Sequence, residues 1–166
     1  MSNATSAEIA KARRNWKDEH LDMYLGSGGA EGHIVDVSDI GGHKLTTTLL
    51  IRLFGRKSGQ TRIAPLIYGD IGGEIVIVAS KGGADHHPAW YLNIQDSKEI
   101  DFQIATQAFR GKWREPQGAE RDKVWEFMVG IFPPYKNYQA TTSRQIPLVM
   151  ISADQTIDIF EQPSAS

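Results

Sequence analysis

The sequence predicts a mainly-β domain with α-helices: a small, mostly antiparallel barrel of about six strands with helices packed around it. Three observations lead there. Short apolar or β-branched runs recur between turns rich in Gly and Pro. Helical patterns interrupt them at irregular intervals, which does not fit the regular strand–helix alternation of a doubly wound parallel sheet. The length, 166 residues, suits one domain with a sizeable core.

Ser6 to Tyr24 reads as a helix, with Ser6 as N-cap and Ile9, Ala12, Trp16, His20 and Tyr24 along one side. Gly26-Ser27-Gly28-Gly29 ends it. Thr46 to Phe54 is β-branched and apolar, a strand. Gly55 to Gln60 is a turn, and Arg62 to Tyr68 the returning strand, where Pro65 demands a bulge or an edge position. Gly69 to Gly73 forms a hairpin turn into a strand over Glu74 to Ala79. Lys81 to His87 is a loop, and Pro88 opens a short helix that runs to Gln95. Ile100 to Ile104 and Ala108 to Glu115 pair as a hairpin. Glu120 to Gly130 is an amphipathic helix carrying Val124, Phe127, Met128 and Ile131 on one face. Phe132 to Arg144 is an aromatic, turn-rich connection, and Pro147 to Ser152 the last strand. Phe109, Trp113, Trp125 and Phe127 read as core. The expected division is an N-terminal helix over 1–27, one barrel domain over 28–160 and a frayed polar tail over 161–166.

Composition excludes several function classes. The chain has no cysteine, which removes disulfides, thiolate nucleophiles and cysteine-bound metals. No apolar run approaches the roughly 20 residues of a membrane span. The N-terminal stretch carries Lys11, Arg13, Arg14 and Lys17, but Glu8, Asp18, Glu19 and Asp22 cancel them, so peripheral membrane contact is not favoured. With no leader-like pattern, the expectation is a cytoplasmic protein. Gly26-Ser27-Gly28-Gly29-Ala30-Glu31 follows a helix and has Glu31 at the third glycine position, so it is not a dinucleotide fingerprint. Arg56 breaks the Gly-Lys-Ser of a phosphate loop in Gly55-Arg56-Lys57-Ser58. His86-His87 is an isolated pair without ligand spacing, so no metal site is expected, and both read as surface or capping groups.

Two blocks carry the functional signal. One is Gly55-Arg56-Lys57-Ser58-Gly59-Gln60-Thr61-Arg62-Ile63-Ala64-Pro65-Leu66. The other is Ala79-Ser80-Lys81-Gly82-Gly83-Ala84-Asp85-His86-His87-Pro88-Ala89-Trp90-Tyr91-Leu92-Asn93. Both place cations and small residues on turns between strand-like runs, where backbone N–H groups and Arg or Lys suit an anionic ligand. From Ile40 to Gly69 there are Lys44, Arg52, Arg56, Lys57 and Arg62 and no carboxylate, in a chain of net charge −2. A local positive field on a mildly acidic protein points to a small anion, not to nucleic acid. Ser80 has no adjacent base and is read as a hydrogen-bond donor, not a nucleophile.

These blocks, with Phe132-Pro133-Pro134-Tyr135-Lys136-Asn137-Tyr138 and Arg144-Gln145-Ile146-Pro147, resemble the deazaflavin-dependent nitroreductase family, over about Gly28 to Ile151. The resemblance implies a split β-barrel that binds coenzyme F420 and an oxidoreductase that passes a hydride from F420H2 to a small planar electron-poor acceptor. Quinones, enones and nitroaromatics are the implied acceptors. It implies that Arg56, Lys57 and Ser58 meet the phosphate and glutamate tail, and that Arg62, Ile63, Ala64, Pro65, Leu66 and Ile67 run along the cofactor. Val78, Ala79, Ser80 and Lys81 would line the ring end, and Ala89, Trp90, Tyr91, Leu92 and Asn93 would complete the pocket. Tyr135 would approach the ring, with Tyr138 and Ser80 in the substrate cavity as catalytic hydroxyls. Phe132 stands where the family often has another Tyr, which removes a hydroxyl. The same cations would also take the phosphate of FMN, and an F420 carrier without turnover would show the same pattern, so both alternatives stay open. A monomer and a homodimer are equally compatible with the sequence.

Overall fold

The computed structural model describes residues 6–54 and 57–162, with side chains from residue 16 onward. A long helix α1 (Ser6–Gly26) leads into a two-residue strand β1 (Ile34–Val35). Then come β2 (Thr46–Phe54), β3 (Thr61–Ile71), β4 (Glu74–Val78), helix α2 (Ala89–Ile94), β5 (Glu99–Ile104) and β6 (Gln107–Arg114). Helices α3 (Gly118–Ile131) and α4 (Pro134–Ala140) precede the last strand, β7 (Leu148–Ile157). Every strand pairing is antiparallel, in the order β1-β2-β3-β4-β7-β6-β5. Leu50–Arg52 of β2 also pair with Asp101–Gln103 of β5, which closes six of the strands into the expected barrel.

Alternation along the strands makes two faces. Leu49 and Ile51 of β2, Ile75 and Ile77 of β4, Phe102, Val149 and Ile151 fill the barrel, and Trp90 and Ile94 of α2 plug one end. Val76, Val78, Leu148 and Met150 face outward and are covered by Val124, Met128, Phe132 and Tyr135 of the α3–α4 side. Gly69 lets α3 sit that close: a Cβ there would lie 2.7 Å from Met128 Sδ. On the far side Tyr24 and Leu25 of α1 pack with Leu50, Ala108 and Phe160.

The β2 strand has the predicted limits. Elsewhere tertiary pairing moves the boundaries. Gly69, Asp70 and Ile71 pair with Val76, Ile75 and Glu74, so they belong to β3, and the turn is only Gly72-Gly73, both at positive φ. The predicted aromatic connection contains α4, which starts at a proline at its first position. The last strand continues past Ser152 because Ala153, Gln155, Thr156 and Ile157 find partners on β6. Pro88 is the N-cap of α2, extended at ψ 150, not its first helical residue. Phe127 is 41% exposed, on the rim of the α3 contact, whereas Phe109, Trp113 and Trp125 are half-buried. On α1, His20 and Tyr24 face inward as expected and Trp16 lies exposed, stacked on His20; Ile9 and Ala12 lie outside the described side chains.

The anchor of α1 is the hydroxyl of Tyr24. It donates to the carbonyl of Thr48 on β2 (3.0 Å) and accepts from the N–H of Ala105 in the β5–β6 turn (2.8 Å). Burial pushes its pKa up to about 12, so it stays a neutral donor. Removing it leaves a buried N–H and a buried carbonyl without this partner. Tyr24→Phe is expected to lower unfolding stability by about 1–3 kcal/mol, measured by urea denaturation; a loss within error of zero would show that water replaces the hydroxyl.

Candidate functional site

The barrel opens at one place. β3 spans eleven residues and β4 five. Tyr68 pairs with Ile77, and beyond that rung the strands part. Val78 pairs only with Leu148, the last rung of a β4–β7 ladder that starts at Ile75, and the Ala79 N–H bonds to the Pro147 carbonyl (3.0 Å). Among the described residues Thr61 to Ile67 therefore pair with β2 alone, and no strand lies along their other edge. Pro65 sits in this stretch, at the edge position that the sequence required.

The candidate cofactor residues divide between the two ends of this edge. At the hairpin tip Lys57, Ser58 and Arg62 are exposed, and Ser58 accepts from the Gln60 N–H (3.2 Å). Arg56 lies outside the described residues. Lys57 and Arg62 form no ion pair with any described residue. Arg52, counted with them in the positive field, is not available. It bonds Asp101 (2.8 Å) and stacks over Phe160, 4.4 Å from the ring centroid. Burial pushes the Asp101 carboxyl up, but Arg110 and Arg52 outweigh it and hold it below the ordinary carboxylate value.

Between the ends, side chains alternate. Ala64 and Leu66 turn into the barrel, Ile63 packs beside α1 and Ile67 beneath the helix side. A ligand on this edge thus meets main chain more than side chain. From Ile67 to Arg62 the strand covers about 17 Å, so the two ends lie too far apart to converge on one small anion.

At the fork Val78, Ala79 and Ser80 are buried and Lys81 is exposed. Lys81 adopts φ 45, with Gly82 and Gly83 also at positive φ. Gly83 is required twice over: a Cβ would meet Thr141 Oγ1 and the Tyr138 main chain of α4. The Lys81 ammonium lies 2.7 Å from His86 Nε2, so His86 serves as its acceptor. In α2 Ala89 is exposed, Leu92 and Asn93 are half-buried, and Trp90 belongs to the barrel core. Tyr91 packs at the margin of the barrel core. Its hydroxyl donates to Glu115 (2.7 Å) and its ring lies 4.8 Å from that of His87. Burial and the Glu115 carboxylate push Tyr91 up to about 12. Both residues line a cavity of ≈ 150 Å³ with Arg121 and Gln145.

The aromatic segment is more buried than the sequence suggested. Tyr135 is 5% exposed, packed among Trp125, Phe132 and Tyr138. It is a core residue here, and burial raises its pKa. Phe132 is buried between the two tyrosines, where a hydroxyl would need a partner of its own. Tyr138 is half-buried beside Gly83.

Sequence reasoning gave Arg144 no role. Its guanidinium donates to the carbonyls of Ala84 (2.7 Å), Ser80 (2.8 Å) and Ala79 (3.2 Å), and lies 3.0 Å from His87 Nδ1. No local pattern signals this, since the acceptors lie 57 to 65 positions upstream.

A closed antiparallel barrel with a forked edge, cations at one end and a Gly-rich loop at the other defines a cofactor-binding split-barrel protein. A heme-binding protein from Mycobacterium smegmatis shares the fold at 13% identity (TM-score 0.52, 65% of this chain and 46% of that one). The F420H(2)-dependent quinone reductase family model matches residues 16–153, and the chain belongs to that family. It is an oxidoreductase that depends on F420H2. The F420H(2)-dependent quinone reductase Rv1261c of Mycobacterium tuberculosis is 29% identical over 136 residues, 80% of this chain and 87% of that protein. A solved F420-H2 dependent reductase is 35% identical, with a TM-score of 0.58 over 63% of this chain and 93% of its own. Another solved structure, described as a domain-swapped dimer, is 32% identical, with a TM-score of 0.61 over 84% and 99% of the two chains. No helix among the described residues is long and apolar enough to cross a membrane.

The His87–Arg144 contact carries a pH dependence. Neutral His87 accepts from the guanidinium. Burial first, then the Arg144 charge, push the imidazole pKa down, while Glu115 pulls the other way. A lowered folded pKa means that stability from the neutral form is complete above the ordinary value near about 6.5. It is lost as the pH falls through the lower folded value. His87→Asn keeps an acceptor that does not titrate. The melting temperature of the wild type is expected to fall more than that of His87→Asn between about pH 7 and about pH 5. Parallel curves would show that the contact does not titrate.

Proposed function

We propose that F420H2 lies along the free edge of β3, with its anionic tail at Lys57, Ser58 and Arg62 and its ring end at Ala79–Lys81. The observation that carries this is the fork between Ile67 and Val78, which leaves an elongated main-chain edge with unpaired cations at its far end. The fit is chemical. F420 is a long polyanion, and the two ends of the edge suit a tail and a ring, not a compact phosphate. When bound, the cofactor supplies a hydride, so the protein needs no nucleophile or metal of its own.

The chain's tasks are then positional. Arg62 offers a planar fork to an oxyanion and Lys57 a point charge. Ser80 and Tyr138 stand at the fork as hydrogen-bond donors toward charge developing on the acceptor. Tyr135 and Phe132 back Tyr138 from the core. The acceptor is a small planar electron-poor molecule, with quinones first because the relatives are quinone reductases by name. The relative described as a domain-swapped dimer makes a homodimer the assembly to look for by light scattering.

Fluorescence titration with F420, in parallel with FMN and at two salt concentrations, tests the site. Both cations are exposed, so each is expected at the low end of charge-assisted hydrogen bonds. Lys57→Ala and Arg62→Ala should each raise the Kd for F420 about tenfold, about 1.4 kcal/mol, and flatten its salt dependence, with the fold intact. Wild-type affinity in both variants would remove the tail from this end of β3. A preference for FMN would move the chemistry to flavin.

A further inference from the structure

We infer that Arg144 is a positioning residue of the F420H2 reaction: it fixes the Ala79–His87 loop in the shape that receives the ring end of the cofactor. The inference rests on the proposed groove and adds to it a residue that lies outside the cofactor-contacting set.

The loop has a short frame of its own: the Gly83 N–H donates to the Ser80 carbonyl (3.0 Å), the Ala84 N–H to the Lys81 carbonyl (3.2 Å), and Lys81 meets His86. Three successive residues, Lys81, Gly82 and Gly83, occupy the left-handed region, and for Lys81 that conformation is unfavourable. Contacts from across the chain fasten this turn in place. Arg144 spends its donors on Ala79, Ser80 and Ala84 carbonyls, with His87 Nδ1 as a further acceptor. Thr141 Oγ1 reaches the Gly83 carbonyl from α4 (3.2 Å). Arg144 is itself held: the Gln139 amide donates to its carbonyl (2.8 Å) and accepts from the Ile146 N–H (2.9 Å). A carboxylate does not compete for the guanidinium among the described residues; Asp85 acts on it only through its charge.

The contact also has an electronic consequence. The Ala79 carbonyl shares its peptide unit with the Ser80 N–H, and the Ser80 carbonyl shares its unit with the Lys81 N–H. A cation bonded to both carbonyls polarises those units and makes both N–H groups stronger donors. They belong to Ser80 and Lys81, two of the residues proposed to line the ring end. Lysine cannot reproduce this, because one ammonium cannot span acceptors from Ala79 to Ala84 in a planar fork.

The test uses the full chain with Arg144→Lys, beside Lys57→Ala and Arg62→Ala. Amide hydrogen exchange is read on the cofactor-free protein, F420 affinity by fluorescence, and turnover with a water-soluble benzoquinone. Arg144→Lys is expected to speed exchange in the 79–87 segment while β2 and β7 stay protected. It should weaken F420 about tenfold and lower kcat with the quinone KM unchanged. Lys57→Ala and Arg62→Ala should weaken F420 without changing exchange in that segment. Unchanged exchange at 79–87 in Arg144→Lys overturns the inference. So does faster exchange with wild-type affinity and kcat, while the tail variants still weaken binding; the groove then stands without Arg144. If none of the three variants alters F420 affinity, the groove itself is misplaced and the inference falls with it. Should Arg144→Lys fail to fold, Thr141→Val loosens the same loop from α4 and is expected to speed exchange around Gly83 and weaken F420; no change in either would overturn the inference.

Discussion

A closed barrel satisfies its main chain by giving each strand a neighbour on both sides, and β3 departs from that over more than half its length. The cause is a mismatch of lengths. β3 continues with β2 past the point where the shorter β4 ends, while β4 stays paired with β7 from Ile75 to Val78. The free edge, the fork and the loop that follows β4 are all consequences of that divergence. The helices serve it too: α3 presses on β3 at Gly69, and α4 braces the loop at Gly83. Strand pairing thus sets where the site is, and side chains set what it accepts.

Charge in this chain has three different uses that composition cannot separate. Arg52 and Arg110 converge on Asp101 and tie β2, β5 and β6 together, with Phe160 under the Arg52 guanidinium. Arg114 joins Glu74 of β4 to Glu120 of α3. These arginines are occupied. Lys57 and Arg62 stand at a tip and form no ion pair with any described residue, so their charge is left for an anion. Arg144 is a third kind, a cation turned inward on carbonyl oxygens.

The legible parts of this fold were those decided locally. β2 was bounded correctly because β-branched and apolar residues run without interruption from Thr46 to Phe54 and a Gly-rich turn follows. Pro65 announced an edge because a ring nitrogen cannot donate to a neighbour. What escaped was decided at a distance. Asp154 and Gln155 have no strand signature; their segment is extended because Ala153, Gln155, Thr156 and Ile157 pair with β6, with Asp154 at the register shift between them. Pro133-Pro134 and Asn137 look like turn residues, yet α4 forms because Tyr135 is drawn into the helix-side core. In the site, the exposed cations were legible as residue types. The burial of Tyr135, the bond of Tyr91 to Glu115 and the grip of Arg144 were not, since each depends on groups tens of residues away.

The unpaired half of β3 has a consequence for the protein before it meets any ligand. An exposed strand edge is a template on which another chain can add, and a free edge on a barrel invites sheet-to-sheet aggregation. Pro65 stands near the middle of that edge and offers no N–H, while Arg62 and Lys57 place like charges at its end. A second copy adding to this edge would find no N–H at the proline and would have to desolvate the charges at its end. Both features count against sheet-to-sheet addition at this edge.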